Sequence, residues 1–196
     1  MEINPKRFYP DHANVLECRV CDIGLAGDRL LILTEAFTEN RPEQFSRVHV
    51  VDDRTGALLY QFPTGLKRYK NGLFAVQDDM LFVAGFRTNV IHTYNWRQGS
   101  TAGLTRLGGD LAFRKPWGVA VSGKMLYVSE QGDEYVAGRI WILRLPDDVS
   151  SDATVVQVIP APNGQELGGL CLNRGRLWCM GPDEGRTHMH LLGPCY

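Results

Sequence analysis

Four times along its length this chain repeats a short pattern of apolar runs separated by tight turns, and the clearest copy spans Trp117 to Leu145. There Val119 to Val121 ends at a Ser-Gly-Lys turn, Met125 to Val128 runs back, and Ile140 to Leu143 follows a loop with two glycines. Runs of this length with turn punctuation predict the strands of an antiparallel meander. Met80 to Val83 matches Met125 to Val128 at a shift of 45, and Leu177 to Cys179 matches Leu126 to Val128 at a shift of 51. Leu30 to Glu35 is laid over Met125 to Glu130 at a shift of 95, with Asp22 to Ala26 as its first strand.

The third strands give the sharpest repeat. Val48 to Val51, Ile91 to Tyr94, Ile140 to Leu143 and Met189 to Leu192 place His49, His92, Trp141 and His190 at one common position. Fourth strands are predicted at 57–62, 104–107 and 154–159, while the last copy ends without one. The N-terminal run Val15 to Cys18 is expected to complete that last unit and so close a ring. A period of 45 to 50 residues with four strands per unit predicts an all-β fold, a β-propeller of about four four-stranded blades. The chain reads as one domain, 1–196, with approximate blades at 14–66, 67–111, 112–161 and 162–196. A β-sandwich gives no reason for the four third-strand residues to recur in register.

Lys115-Pro116-Trp117-Gly118-Val119-Ala120-Val121, then Leu126-Tyr127-Val128-Ser129-Glu130 and Gly138-Arg139-Ile140, resembles an NHL repeat. That repeat reads Pro-x-Gly-Val-Ala-Val, then Tyr-Val-Ala-Asp, then Arg-Ile. The first unit keeps Arg47-Val48, and the second opens with Lys70-Asn71-Gly72-Leu73. The resemblance implies membership of a superfamily of six-bladed propellers that also contains gluconolactonase-like hydrolases. Six units would need about 270 to 300 residues at this period, and four are present. Three explanations stay open: a four-bladed ring, a fragment of a longer propeller, or chains that assemble into a larger ring.

Composition narrows the partners. Twenty-one basic and 22 acidic residues give a net charge of −1, so no strong field draws nucleic acid or an anionic membrane surface. No apolar run has the 18 or more residues of a membrane helix, and the first residues lack a signal-peptide pattern, so a cytoplasmic location is expected. Five cysteines without a secretory signal favour reduced thiols. Cys18 and Cys21 have the spacing of half a zinc site, and ring closure would bring Cys171 and Cys179 toward them. Burial as small strand residues is the commoner use of such cysteines.

In a propeller, loops leading into the first strands gather on one face with the loops between second and third strands, and ligands are usually met there. On that basis Arg68, Tyr69, Asn71, Lys115, Trp117, Glu130, Tyr135 and Glu166 are the candidate ligand-binding residues, cations, carboxylates and aromatics converging from several blades. The expected function is a binding module presenting this loop face to a protein or small-molecule ligand, with no cofactor and no catalytic residue. The family resemblance implies an alternative, a metal-dependent lactone hydrolase holding one divalent cation such as calcium in the central channel. Asn71 would then be a metal ligand, with carboxylates from Asp22 or Glu166. A third reading is a carbohydrate-binding propeller stacking sugars on Trp117, Tyr69 and Tyr135. The recurrent histidines lie on outer strands and cannot converge on one ion, whereas His188 and His190 share a strand face.

Overall fold

A computed structural model describes residues 15–38, 45–66, 71–105, 111–132, 137–147, 152–161, 166–183 and 186–194. They form four antiparallel sheets in chain order. The first is β1 (Val15–Ala26), β2 (Arg29–Thr38), β3 (Phe45–Asp52) and β4 (Leu58–Pro63). The second is β5 (Asn71–Gln77), β6 (Met80–Gly85), β7 (Val90–Asn95) and β8 (Ser100–Thr105). The third is β9 (Pro116–Ser122), β10 (Met125–Glu130), β11 (Arg139–Arg144) and β12 (Thr154–Pro160). The fourth has three described strands, β13 (Leu170–Asn173), β14 (Arg176–Asp183) and β15 (Arg186–Pro194).

The innermost strands β1, β5, β9 and β13 touch one another in succession, so each meander radiates outward from a shared axis as a blade. Each inner blade lies between two others, which is why β10 reads as a nearly continuous apolar run, with Leu126 to Glu130 all buried. The outermost strand β12 has one protected side at most, and its residues are exposed or half-buried. Three apolar layers fill the gaps between blades. Leu31, Leu33, Val48 and Val50 meet Leu81, Val83, Tyr94 and Trp96 between the first and second. Phe82, Ala84 and Ile91 meet Val119, Leu126, Val128 and Trp141 between the second and third. Ala120, Tyr127 and Ile140 meet Leu177 and Cys179 between the third and fourth.

Two-residue turns fix the strand register. Ala26 pairs with Arg29, Gln77 with Met80, Ser122 with Met125 and Asn173 with Arg176. Each turn contains a residue with positive φ, Gly27, Asp78, Gly123 or both Arg174 and Gly175, as tight hairpins require. These anchors correct the alignment of the first unit: Arg29 lies over Met125, a shift of 96 instead of 95. A one-residue slip exchanges the two faces of a strand, so the correction matters for packing. It also strengthens the third-strand repeat. In the backbone ladder His49 pairs with Ile32, His92 with Val83, Trp141 with Val128 and His190 with Cys179, and each of these partners is three residues past the residue that leaves the turn.

Two further expectations are overturned. Val15 to Cys18 do not complete the last blade: Val15 pairs with Thr38, Glu17 with Phe37 and Cys18 with Ala36, inside the first sheet. The reason is that β2 runs to Thr38 and so offers ladder partners to the whole of a long, twice-bulged β1. The fourth strand of the second blade is Ser100–Thr105 instead of 104–107. A turn over Trp96 to Gly99, with Gly99 at φ 62°, returns the chain earlier than its weak β-formers signal. The four sheets form an open arc, and no strand of the first pairs with one of the fourth among the described residues.

Candidate functional site

Antiparallel topology puts the β2–β3 and β4–β5 connections, and their equivalents, at one end of the arc. At that end a line of contacts crosses three blades. Asn89, in the turn after β6, accepts the Lys115 backbone N–H at its Oδ1, 3.0 Å away. The Lys115 carbonyl accepts the N–H of Gln131 at 3.3 Å, and the Gln131 carbonyl accepts that of Leu167 at 3.2 Å. The Gln131 side-chain amide reaches Glu166 Oε2 at 3.1 Å. Asn89 and Lys115 both take left-handed φ, 56° and 48°, which sharpens the two turns that meet here. The ring of Trp117, half-buried, stands edge-on to Phe86 of the preceding blade, centroids 5.5 Å apart at 84°.

Below this surface Glu130 is the anchor. Its Oε1 accepts the N–H of Arg114 at 2.6 Å and its Oε2 accepts Nε–H of Arg139 at 2.5 Å, with the carboxylate almost wholly buried. The Arg139 guanidinium lies over the Trp141 ring, 4.5 Å from its centroid, and Phe113 packs edge-on against the same ring. Glu130 therefore shapes the loop at 114–115 and does not face outward. Next to it, Gly118 donates its N–H to Ser129 Oγ, whose hydroxyl donates to the Gly168 carbonyl of the following blade. A Cβ at Gly118 would sit 2.7 Å from Leu170 N and 2.8 Å from Gly168 O, so this close approach needs glycine.

The eight sequence candidates thus separate. Lys115, Trp117 and Glu166 come together on the face, and Glu130 supports it from within. Arg68, Tyr69 and Tyr135 lie outside the described residues, as does the side chain of Asn71, whose backbone pairs with Gly85. Sequence reasoning missed Phe86, Asn89, Gln131 and Arg139. The Phe-Arg-Thr-Asn turn was the available signal for the first two, since Asn is among the few residues that tolerate positive φ.

Both carboxylates offered to a channel cation lie among the described residues. Asp22 Oδ2 accepts the N–H of Phe74 at 2.8 Å and Oδ1 that of Ile23 at 2.9 Å, so its carboxylate ties the first blade to the second. Burial raises its pKa against the opposing pull of those two bonds. Glu166 takes the side-chain amide of Gln131 at the fourth-blade end of the contact line. Among the described residues no three His, Cys, Asp or Glu side chains are grouped to hold a metal. The cysteines are likewise separated, Cys18 and Cys21 on the first sheet and Cys171 and Cys179 on the fourth. Burial raises the pKa of Cys18 and of Cys21, and pushes that of Cys179 up to about 11. At the opposite end of the arc a cavity of about 170 Å³ opens between the second and third blades, walled by Gln77, Asp78, Phe82, Thr93, Lys124 and Leu145.

No family profile and no curated protein matches the chain. Solved structures do match in shape. A neuraminidase-like protein of subtype N10 from influenza A of the little yellow-shouldered bat aligns with a TM-score of 0.58 and 12% identity, over 88% of this chain and 64% of that one. The Cps50 (Swd1) β-propeller domain of Myceliophthora thermophila aligns at 0.53 and 17%, over 90% of this chain and 55% of its own. A protein described as a candidate 6-phosphogluconolactonase from Bacteroides uniformis aligns at 0.51 and 16%, over 87% and 55%. The fold is a β-propeller. At these identities the likeness is one of fold alone. The chain spans between about half and two thirds of the length of these propellers. Among the described residues no helix is long and apolar enough to cross a membrane.

Proposed function

We propose that this propeller is a binding module whose loop face, centred on Trp117 and Lys115, receives a protein ligand. The observation that supports it is the prearranged setting of these two residues, the Trp117 ring and the Lys115 backbone. Trp117 is held edge-on by Phe86 from one blade, and Lys115 is fixed in a left-handed turn by Asn89 from the same blade. A half-exposed Trp, two residues after a lysine whose backbone is already locked by bonds across three blades, loses little conformational freedom on binding. Loops on a rigid scaffold are where recognition residues usually sit.

The test is affinity capture from native extract with the immobilised domain, against a Trp117→Ala/Lys115→Glu double variant whose circular dichroism and melting temperature match the parent. A protein kept by the parent and lost by the variant supports the reading, and identical capture by both sinks it. A lactone-hydrolysis assay with added calcium and a glycan array run on the same preparation test the two competing readings directly.

A further inference from the structure

The gaps between blades are built from two kinds of sheet face, and among the described residues one copy of each is unmatched. Using the turn-anchored register, one face of every blade carries four apolar positions. In blades two to four they are Phe74, Val76, Leu81 and Val83, then Val119, Val121, Leu126 and Val128, then Leu170, Leu172, Leu177 and Cys179. In each case they pack against the blade before. Phe74 is 7% exposed and Val119 3%. In the first blade the same positions are Ile23, Leu25, Leu30 and Ile32, equally apolar, yet Ile23 is 55% exposed and Leu25 65%.

Where the first blade has Gly24 and Leu31, the opposite face in blades two to four presents a small residue on the inner strand and an aromatic on the second. They are Ala75 with Phe82 in blade two and Ala120 with Tyr127 in blade three, both covered by the blade that follows. In blade four the pair is Cys171 with Trp178, and beside Trp178 stands Met180 at 42% exposure. Cys171 is exposed and Trp178 half-buried.

These are the two halves of an interface that the chain makes three times internally. We propose that the halves meet between chains, the first-blade face of one copy on the fourth-blade face of a second, so that two copies close a single ring. Head-to-tail contacts of this kind leave an open filament unless rotation closes them, and a two-fold pair satisfies both faces at once. A net charge of −1 per chain puts no strong repulsion between the copies.

The experiment is sedimentation equilibrium on the 196-residue chain over a range of concentrations, with Leu25→Glu and Met180→Glu variants. The expected parent species is twice the chain mass of 22.0 kDa. Each variant should raise the dimer dissociation constant at least about tenfold, because a carboxylate then enters an apolar contact. The decisive arm mixes the two variants. A mixed pair retains one fully parental interface, so dimers should reappear that neither variant makes alone. Cys171 should also resist alkylation in the parent, read by peptide mass, and react freely in Met180→Glu. Both positions are exposed enough that folding is expected to survive, and Ile23→Glu replaces Leu25→Glu if near-ultraviolet circular dichroism shows otherwise. A parent that stays monomeric at high concentration overturns the proposal. So does a dimer indifferent to either variant, a mixture that recovers nothing, or an open series of larger oligomers.

Discussion

The third blade and the first carry the same rung of backbone and fill it with different chemistry. Five residues past the residue that leaves the hairpin turn stands Glu130 in one and Thr34 in the other, opposite Arg139 and Arg47. Two residues further along the third strand are Trp141 and His49. In the third blade the rung is an ion pair with the Arg139 guanidinium laid on Trp141. In the first a hydroxyl replaces the carboxylate: Thr34 Oγ1 and His49 Nε2 are hydrogen-bonded at 2.8 Å, both fully buried. The second blade has Gly85 at the rung, and its His92 Nε2 is 2.9 Å from Thr88 Oγ1, a hydroxyl supplied by the turn. The same backbone position is thus filled by an ion pair, a hydroxyl–imidazole bond or a glycine with the hydroxyl brought in from the turn. Only the charged version also binds the loop that carries Lys115, through the Arg114 N–H, and this is where the candidate site lies.

The largest expected break in that comparison is Glu130→Ala. It strands a partly buried guanidinium and the Arg114 N–H together, and the expected loss is about 3 kcal/mol in chemical denaturation. It should also release the 114–115 loop and weaken any ligand captured through Trp117, which Thr34→Ala in the first blade should leave untouched. Equal effects on capture from the two changes would show that the rung is structural in both blades alike.

Next comes Gly85→Ala in the second blade. A Cβ there would collide with Thr88 Oγ1 and come within 2.9 Å of the His92 ring, so the hydroxyl–imidazole bond must be displaced. A loss of about 1–3 kcal/mol is expected. A neutral result, read as an unchanged melting temperature, would mean that the second blade does not use its turn to complete the rung.

Much of this was legible in the sequence and some was not. The blades were visible because turn-punctuated apolar runs recur at nearly constant spacing, and Lys115 and Trp117 could be placed because they directly precede the Gly118 to Val121 run that opens the clearest repeat. The one-residue slip in the first unit arose because Leu30 to Leu33 is apolar on both faces, so hydropathy alone does not say which face is which. Glu130 looked like a loop carboxylate because the sequence does not reveal that the Arg114 N–H and Arg139 close over it. Phe86 and Asn89 were missed for a different reason: they belong to a neighbouring blade, and their nearness to Trp117 and Lys115 exists only once the blades pack.

Acid sharpens the contrast between the carboxylate rung and the imidazole rungs. Burial lowers the pKa of both His49 and His92 to about 4, with the Arg47 charge adding to the effect at His49. Both rings are therefore neutral in the fold, while in the unfolded chain they protonate near 6.5. As pH falls from about 6.5 toward 4 the unfolded state gains protons that the folded state refuses, so stability declines across that window and levels off below it. His49, the more deeply enclosed, accounts for at most about 3 kcal/mol of the decline. Denaturation midpoints measured at pH 7 and pH 4.5 should draw closer together in His49→Gln than in the parent. An unchanged gap would mean that the imidazole is not neutral by burial.

The smallest change is Thr34→Val, which keeps the shape and removes the hydroxyl. The His49 ring then loses its short partner inside a closed gap, although Gln61 remains as a second contact. A loss of about 1 kcal/mol is expected at neutral pH, and it should be nearly additive with Glu130→Ala because the two rungs sit in different blades and share no partner. A double variant that loses clearly more than the sum would show that the rungs are coupled through the second blade. The three rungs would then act as one polar layer through the arc instead of three local solutions to the same backbone position.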